Sequence, residues 1–106
     1  MSQIIVSEGA QADLVRLRQF IQDQNPAAAE RAAQALVDSI DLLSDNPELG
    51  KPHPNVLALR LLFVPFGKAG YVVAYRYLNA NDQVTILAIR HQREQGDAVT
   101  SGDDNR

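Results

Sequence analysis

Hydrophobic spacing in this chain changes character near its middle. In the second half, three runs rich in β-branched, aromatic and leucine residues occupy 59–64, 70–78 and 84–91. Pro65-Phe66-Gly67-Lys68 and Asn79-Ala80-Asn81-Asp82 separate them, and both have turn composition. This predicts a three-stranded antiparallel meander. In the first half the period is helical. Ala10, Leu14, Leu17 and Ile21 follow one another at spacings of 4, 3 and 4, one stripe of a helix over 10–24, with Phe20 beside it. Asp13, Arg16 and Gln24 fall off that stripe and are expected to be solvated. Ser7 stands where its hydroxyl can cap the first turn.

Asn25-Pro26 ends one helix and starts the next, because asparagine caps well and proline is favoured at the first helical position. The second helix is expected over 26–45, with its stripe at Ala29, Ala33, Leu36, Ile40 and Leu43. With almost no loop between them, the helices form an antiparallel hairpin. Asn46-Pro47 stops the second one. The segment 46–55, with three prolines and a glycine, reads as an irregular surface connection, and the apolar run 3–6 as a first strand. The order β-α-α-β-β-β predicts an α+β fold, a helical hairpin packed on one face of a mainly antiparallel sheet. One domain is expected over 1–95, followed over 96–106 by a polar tail expected to be mobile.

Side chains alternate faces along a strand. On that rule Arg60 travels with Leu62 and Val64, Arg76 with Val72 and Ala74, and Arg90 with Ile86 and Ala88. The three arginines are therefore expected on one face. The opposite face, with Leu59, Leu61, Phe63, Tyr71, Val73, Tyr75, Leu87 and Ile89, is the expected core. The tyrosines read as half-buried core residues with a wet hydroxyl.

Composition adds limits. A chain of 106 residues holds one core, and 45% hydrophobic with 22% charged content suits an ordinary globular protein. Cysteine is absent, and His53 and His91 lack ligand-like spacing, so no metal or other cofactor is expected. The N-terminus does not read as a signal peptide and no run suits a membrane helix, which makes the cytoplasm the expected compartment. Net charge is −3, unevenly placed. Residues 1–55 carry four basic and eight acidic side chains, whereas 56–95 carry five basic and two acidic. That permits an acidic partner on the sheet half but falls short of a general nucleic-acid binder, and no direct DNA binding is expected.

Candidate chemistry gathers at Arg90-His91-Gln92-Arg93. Arginine binds phosphate bidentately and histidine moves protons near neutral pH, so Arg60, Arg76, Arg90 and His91 are the candidate set for a ribonuclease. The plainer reading is that these arginines pair with acids on the helices, or that Arg60, Arg76, Arg90 and His91 bind a macromolecular target together with Arg93. His53 reads as a solvated loop residue, and Gly50 and Pro52 as turn chemistry.

A resemblance runs from about residue 3 to residue 94. Its pieces are Ala10-x-x-Asp13-Leu14 with Leu17 and Phe20-Ile21, Asn25-Pro26 with Ala28-Ala29, and Leu43. Next come Asn46-Pro47-Glu48-Leu49-Gly50 with Pro52, then Leu59-Arg60 and Tyr71-Val72-Val73-Ala74-Tyr75-Arg76. Ile86-Leu87-Ala88-Ile89-Arg90-His91-Gln92-Arg93 closes the set. In this order the pieces resemble the ParE branch of the RelE/ParE toxins of bacterial type II toxin–antitoxin systems. The resemblance implies a toxin neutralised in a hetero-oligomer by a cognate antitoxin, with Leu14, Leu17, Leu62 and Val64 as antitoxin contacts. ParE-type members are associated with plasmid stabilisation and inhibition of DNA gyrase, RelE-type members with cleavage of messenger RNA on the ribosome. The scarcity of lysine, the acidic balance and the lack of an aromatic residue after His91 depart from the nuclease pattern. The acidic tail departs from the pattern altogether, and a member that has lost toxicity is the third possibility.

Overall fold

The computed structural model describes residues 2–67 and 69–92. Arg93 and the tail expected over 96–106 lie outside the described residues. Seven elements follow in order: β1 (Gln3–Val6), α1 (Glu8–Gln24), α2 (Pro26–Asp45), β2 (Lys51–Pro52), β3 (Leu59–Phe66), β4 (Ala69–Leu78) and β5 (Gln83–His91). They build one five-stranded sheet in the order β1-β5-β4-β3-β2. β1 runs parallel to β5, and every other pairing is antiparallel. The α+β architecture expected from the sequence is present, and the sheet is mixed because its first strand pairs with its last.

Helix boundaries follow from local chemistry. The Ser7 hydroxyl accepts from the Ala10 N–H at 3.1 Å and starts α1 two residues before its apolar stripe begins. Asn25 serves both helices. Its own N–H donates to the Ile21 carbonyl at 2.7 Å, and its side-chain oxygen accepts from the Ala28 N–H at 3.2 Å. Proline at the next position needs no partner for a missing N–H. The hairpin is therefore set by two adjacent residues.

The core lies between the hairpin and one face of the sheet. Leu17, Leu36, Ile40 and Leu43 meet Leu62, Val64, Tyr71, Val73, Tyr75, Val84, Ile86 and Ile89. Burying side chains of this size contributes roughly 1.5–3 kcal/mol each. In α2 the buried alanines are Ala29 and Ala32, so the stripe sits one residue earlier than expected at its second position. Phe20 is half exposed.

The expected division of the faces holds in β4 and fails on either side of it. Arg60 pairs with Tyr75, Leu62 with Val73 and Val64 with Tyr71, so Leu62 and Val64 belong to the core face. Leu61 and Phe63 lie on the open face with Ala74 and Val72. Both parities of β3 are apolar, so alternation alone does not choose between them. In β5 the register shifts, with Ala74 opposite Ala88 and Tyr75 opposite Ile86. Leu87 is the extra residue, and this bulge resets the alternation. Ile86 and Ile89 thus both reach the core. Arg60 starts on the helix side, whereas Arg76 and Arg90 take open-face positions, so the three arginines do not share a face.

Candidate functional site

The arginines occupy three different settings. The Arg60 guanidinium donates to the carbonyls of Gly50, at 2.6 Å, and Glu48, at 3.0 Å. It tightens the connection after α2 against the start of β3. Tyr75 does the same from within the core. Its hydroxyl donates to the Pro47 carbonyl and accepts from the Gly50 N–H, each at 2.8 Å. Burial pushes the Tyr75 hydroxyl up from the ordinary tyrosine range, so it stays protonated. The expectation of a wet hydroxyl is corrected here, because Tyr75 is fully buried and bonded to backbone. Tyr77 is closer to that expectation, with its half-buried ring and its hydroxyl donating to Asn79 at 3.1 Å.

Arg90 reaches back to α1. Its guanidinium meets Asp13 at 2.8 Å, and the other tie on the same carboxylate oxygen comes from the Ile89 N–H at 2.9 Å. Arg16 approaches the second oxygen at 3.4 Å. β1 pairs with β5 only as far as Ile86, so the edge beyond it is free for a helix side chain. Asp13 fills that role and is not solvated, its side chain keeping 15% exposure. Burial pushes the Asp13 carboxyl up, but the Ile89 N–H, Arg90 and Arg16 together hold it below the ordinary value. A depressed carboxyl stabilises the fold above its unfolded pKa and loses that contribution as pH falls through the folded value. Asp13→Asn is therefore expected to cost on the order of 1–2 kcal/mol at pH 7, and less as pH falls through the lowered value of the folded carboxyl. Arg90 is nearly half exposed, which screens its share. Urea titrations of both proteins across that pH range check this.

His91 follows on the helix side. Its ring meets Tyr71 edge-on at 5.2 Å and Phe20 at 6.3 Å. Arg76 stands exposed on the open face, opposite Leu59 and Thr85. Along β4 the partner of Arg90, Val72, lies four residues before Arg76, a separation of roughly 13 Å. The set of Arg60, Arg76, Arg90 and His91 is thus divided between two ends and two faces of the sheet. Among the described residues no group of His, Asp and Glu gathers as a metal would require. No helix among them is long and apolar enough to cross a membrane.

The four expected antitoxin contacts are also unlike one another. Leu17, Leu62 and Val64 lie in the core at 2%, 9% and 2% exposure. Leu14 lines an apolar cleft of about 170 Å³ between the helices, with Ile21, Ala33 and the half-exposed Val37. Val37 was not singled out in the sequence. It lies one residue past Leu36, and an apolar residue off the buried helical stripe was the available signal.

Comparison with known proteins fits this geometry. Residues 4–96 match the family model described as the ParE toxin of type II toxin–antitoxin systems, parDE. Toxin RelE3 of Caulobacter vibrioides is 33% identical over 95 residues, covering 90% of this chain and 99% of that protein. Toxin RelE2 of the same organism is 36% identical over 91 residues, covering 86% and 96%. Among solved structures, the chromosomal ParDE system from P. aeruginosa superposes with a TM-score of 0.68 at 22% identity, covering 86% of this chain and 96% of that one. The RelBE2 toxin–antitoxin complex from Mycobacterium tuberculosis gives 0.61 at 25% identity, covering 85% and 96%. Fold, length and sequence agree, and the chain belongs to the ParE toxin family of type II toxin–antitoxin systems.

Proposed function

We propose that this toxin acts in the cytoplasm by binding DNA gyrase, without cutting nucleic acid, and is neutralised by a cognate antitoxin. The observation that carries this is the dispersal of Arg60, Arg76, Arg90 and His91. Acid–base chemistry on a phosphodiester needs its groups within hydrogen-bond reach of one reacting centre. Here Arg60 is committed to backbone carbonyls and Arg90 to Asp13. A binding surface tolerates such spacing. Arg76, Arg90 and His91, with Arg93 beyond the described residues, are then target contacts and not a catalytic set. The gyrase assignment itself rests on the family match.

Two similar structures come from ParDE and RelBE2 systems, which supports an antitoxin partner here and a hetero-oligomer with it. The inter-helix cleft suits an apolar antitoxin segment. Leu14 and Leu17 line that cleft, while Leu62 and Val64 lie in the core.

The RelE names of the curated relatives favour a second reading, a ribosome-dependent messenger RNA endoribonuclease. Induction without the antitoxin separates the two. An early fall in DNA synthesis with messenger RNA left intact supports gyrase. An early fall in protein synthesis with cut messenger RNA, lost in His91→Ala, overturns it. Unchanged growth identifies a member that has lost toxicity.

A further inference from the structure

The connection between β2 and β3, residues 53–58, is held in one shape. The His53 N–H donates to the Leu59 carbonyl at 2.8 Å, and the Asn55 N–H to the His53 ring at 3.1 Å. The Leu59 N–H reaches the Val56 carbonyl at 3.3 Å, and the Ala58 carbonyl accepts from the Tyr77 N–H at 3.0 Å. Pro52 and Pro54 fix their own φ. Ala58 has φ +67°, a left-handed conformation that costs an alanine energy and that the neighbouring bonds hold in place.

This fixed loop presents apolar side chains to water. Leu57 is 90% exposed, and Val56 and the adjacent Leu78 are roughly half exposed. Together they line a recess of about 570 Å³ beside Tyr77 and Glu48. Arg76 does not line it, but lies two residues before Leu78 on the same face of β4 and opposite Leu59, which does. Arg60 lines the recess too, but its guanidinium is taken by the Gly50 and Glu48 carbonyls. Among the described residues nothing engages the Arg76 guanidinium.

We propose that Val56, Leu57, Leu78 and Arg76 form the surface that grips the toxin's protein target, and that the target offers an apolar pocket bordered by a carboxylate. This rests on the reading of a toxin that works by binding. An exposed leucine already ordered by its loop loses little entropy on docking. An apolar anchor beside an arginine is the composition of an interface hot spot. An unengaged guanidinium calls for a carboxylate, which it holds bidentately. Single-stranded RNA would call for several free cations along aromatic faces, and this patch offers one. None of the four residues lines the inter-helix cleft, so antitoxin binding there is separable from target binding.

The test is an amide-resolved titration of labelled full chain with purified DNA gyrase, with ribosomes, and with a short single-stranded RNA. Leu57→Ser and Arg76→Ala are run alongside, and both leave the core untouched. Selective broadening at residues 55–58 and 76–78 with gyrase is expected, with affinity about tenfold weaker in Leu57→Ser and antitoxin binding unchanged. Arg76→Ala is expected to lose less, with a gap that closes at high salt. If those amides respond to ribosomes but not to the RNA, the patch stands and the gyrase assignment falls. The proposal is overturned by broadening at 89–91 that leaves 55–58 and 76–78 unaffected, by wild-type affinity in Leu57→Ser, by a response to the RNA, or by no response to any of the three.

Discussion

Tyr75→Phe is expected to lower the unfolding free energy by about 2 kcal/mol, and Tyr75→Ala by about 4 kcal/mol. The first change removes one oxygen. That oxygen accepts from the buried Gly50 N–H and donates to the Pro47 carbonyl, each at 2.8 Å. Without it the Gly50 N–H has no partner in a place water does not reach, and such a donor costs about 1–3 kcal/mol. The alanine adds a cavity in the middle of the sheet, because the ring is completely buried. With the ring in place, Gly50 has no room to grow. A Cβ placed there would lie 2.8 Å from the tyrosine ring and 3.0 Å from the Leu61 carbonyl. Urea unfolding measures both variants. At this chain length each kcal/mol is worth about 4–8 °C in Tm. A phenylalanine variant as stable as wild type would mean that the connection after α2 is held by Arg60 alone.

Gly70→Ala is expected to cost on the order of 3 kcal/mol, the upper end of overpacking. Gly70 sits opposite Pro65 in the β3–β4 hairpin. A Cβ there would run into the Val64 carbonyl oxygen, with the Phe63 ring at 3.0 Å and the Pro65 Cα at 3.1 Å. The ring can swing away, since Phe63 is half exposed. The backbone of β3 cannot, since Leu62 and Val64 fix it to the core. The strain therefore falls on the hairpin pairing. A urea midpoint close to that of wild type would show that β3 moves more freely than its packing suggests.

How legible the chain was depends on whether one pattern had a rival. The second helix was readable to its ends because Asn25-Pro26 and Asn46-Pro47 are strong local signals. The first strand and the three later runs were readable for the same reason. The parallel pairing of β1 with β5 was not, because it joins residues about eighty positions apart and leaves no local mark. Nor was the face of β3, where Leu61 and Phe63 compete with Leu62 and Val64 on equal terms. The bulge at Leu87 has no glycine or proline to announce it. At the site, the pairing of Arg90 with an acid on a helix followed the plainer reading of the sequence. Asp13 falls off the helical stripe, and the unpaired edge of β5 that takes it leaves no mark in the sequence. Gly50 read as a turn residue, and its real constraint is the tyrosine ring beneath it.

The pairing of the first strand with the last also bears on how the protein is made. Gln3 to Val6 must wait for residues 83–86, and Ser7 and Asp13 both bond to the backbone of β5. Chain emerging from the ribosome at about 5–20 residues per second spends seconds with both helices made and β5 still to come. During that interval β4 has no neighbour on one side, an open edge that invites pairing with other chains. A nascent chain stopped before β5 therefore lacks the strand that ties the hairpin to the sheet. Synthesis order thus builds a delay into the fold, since the described sheet closes only when β5 has been translated.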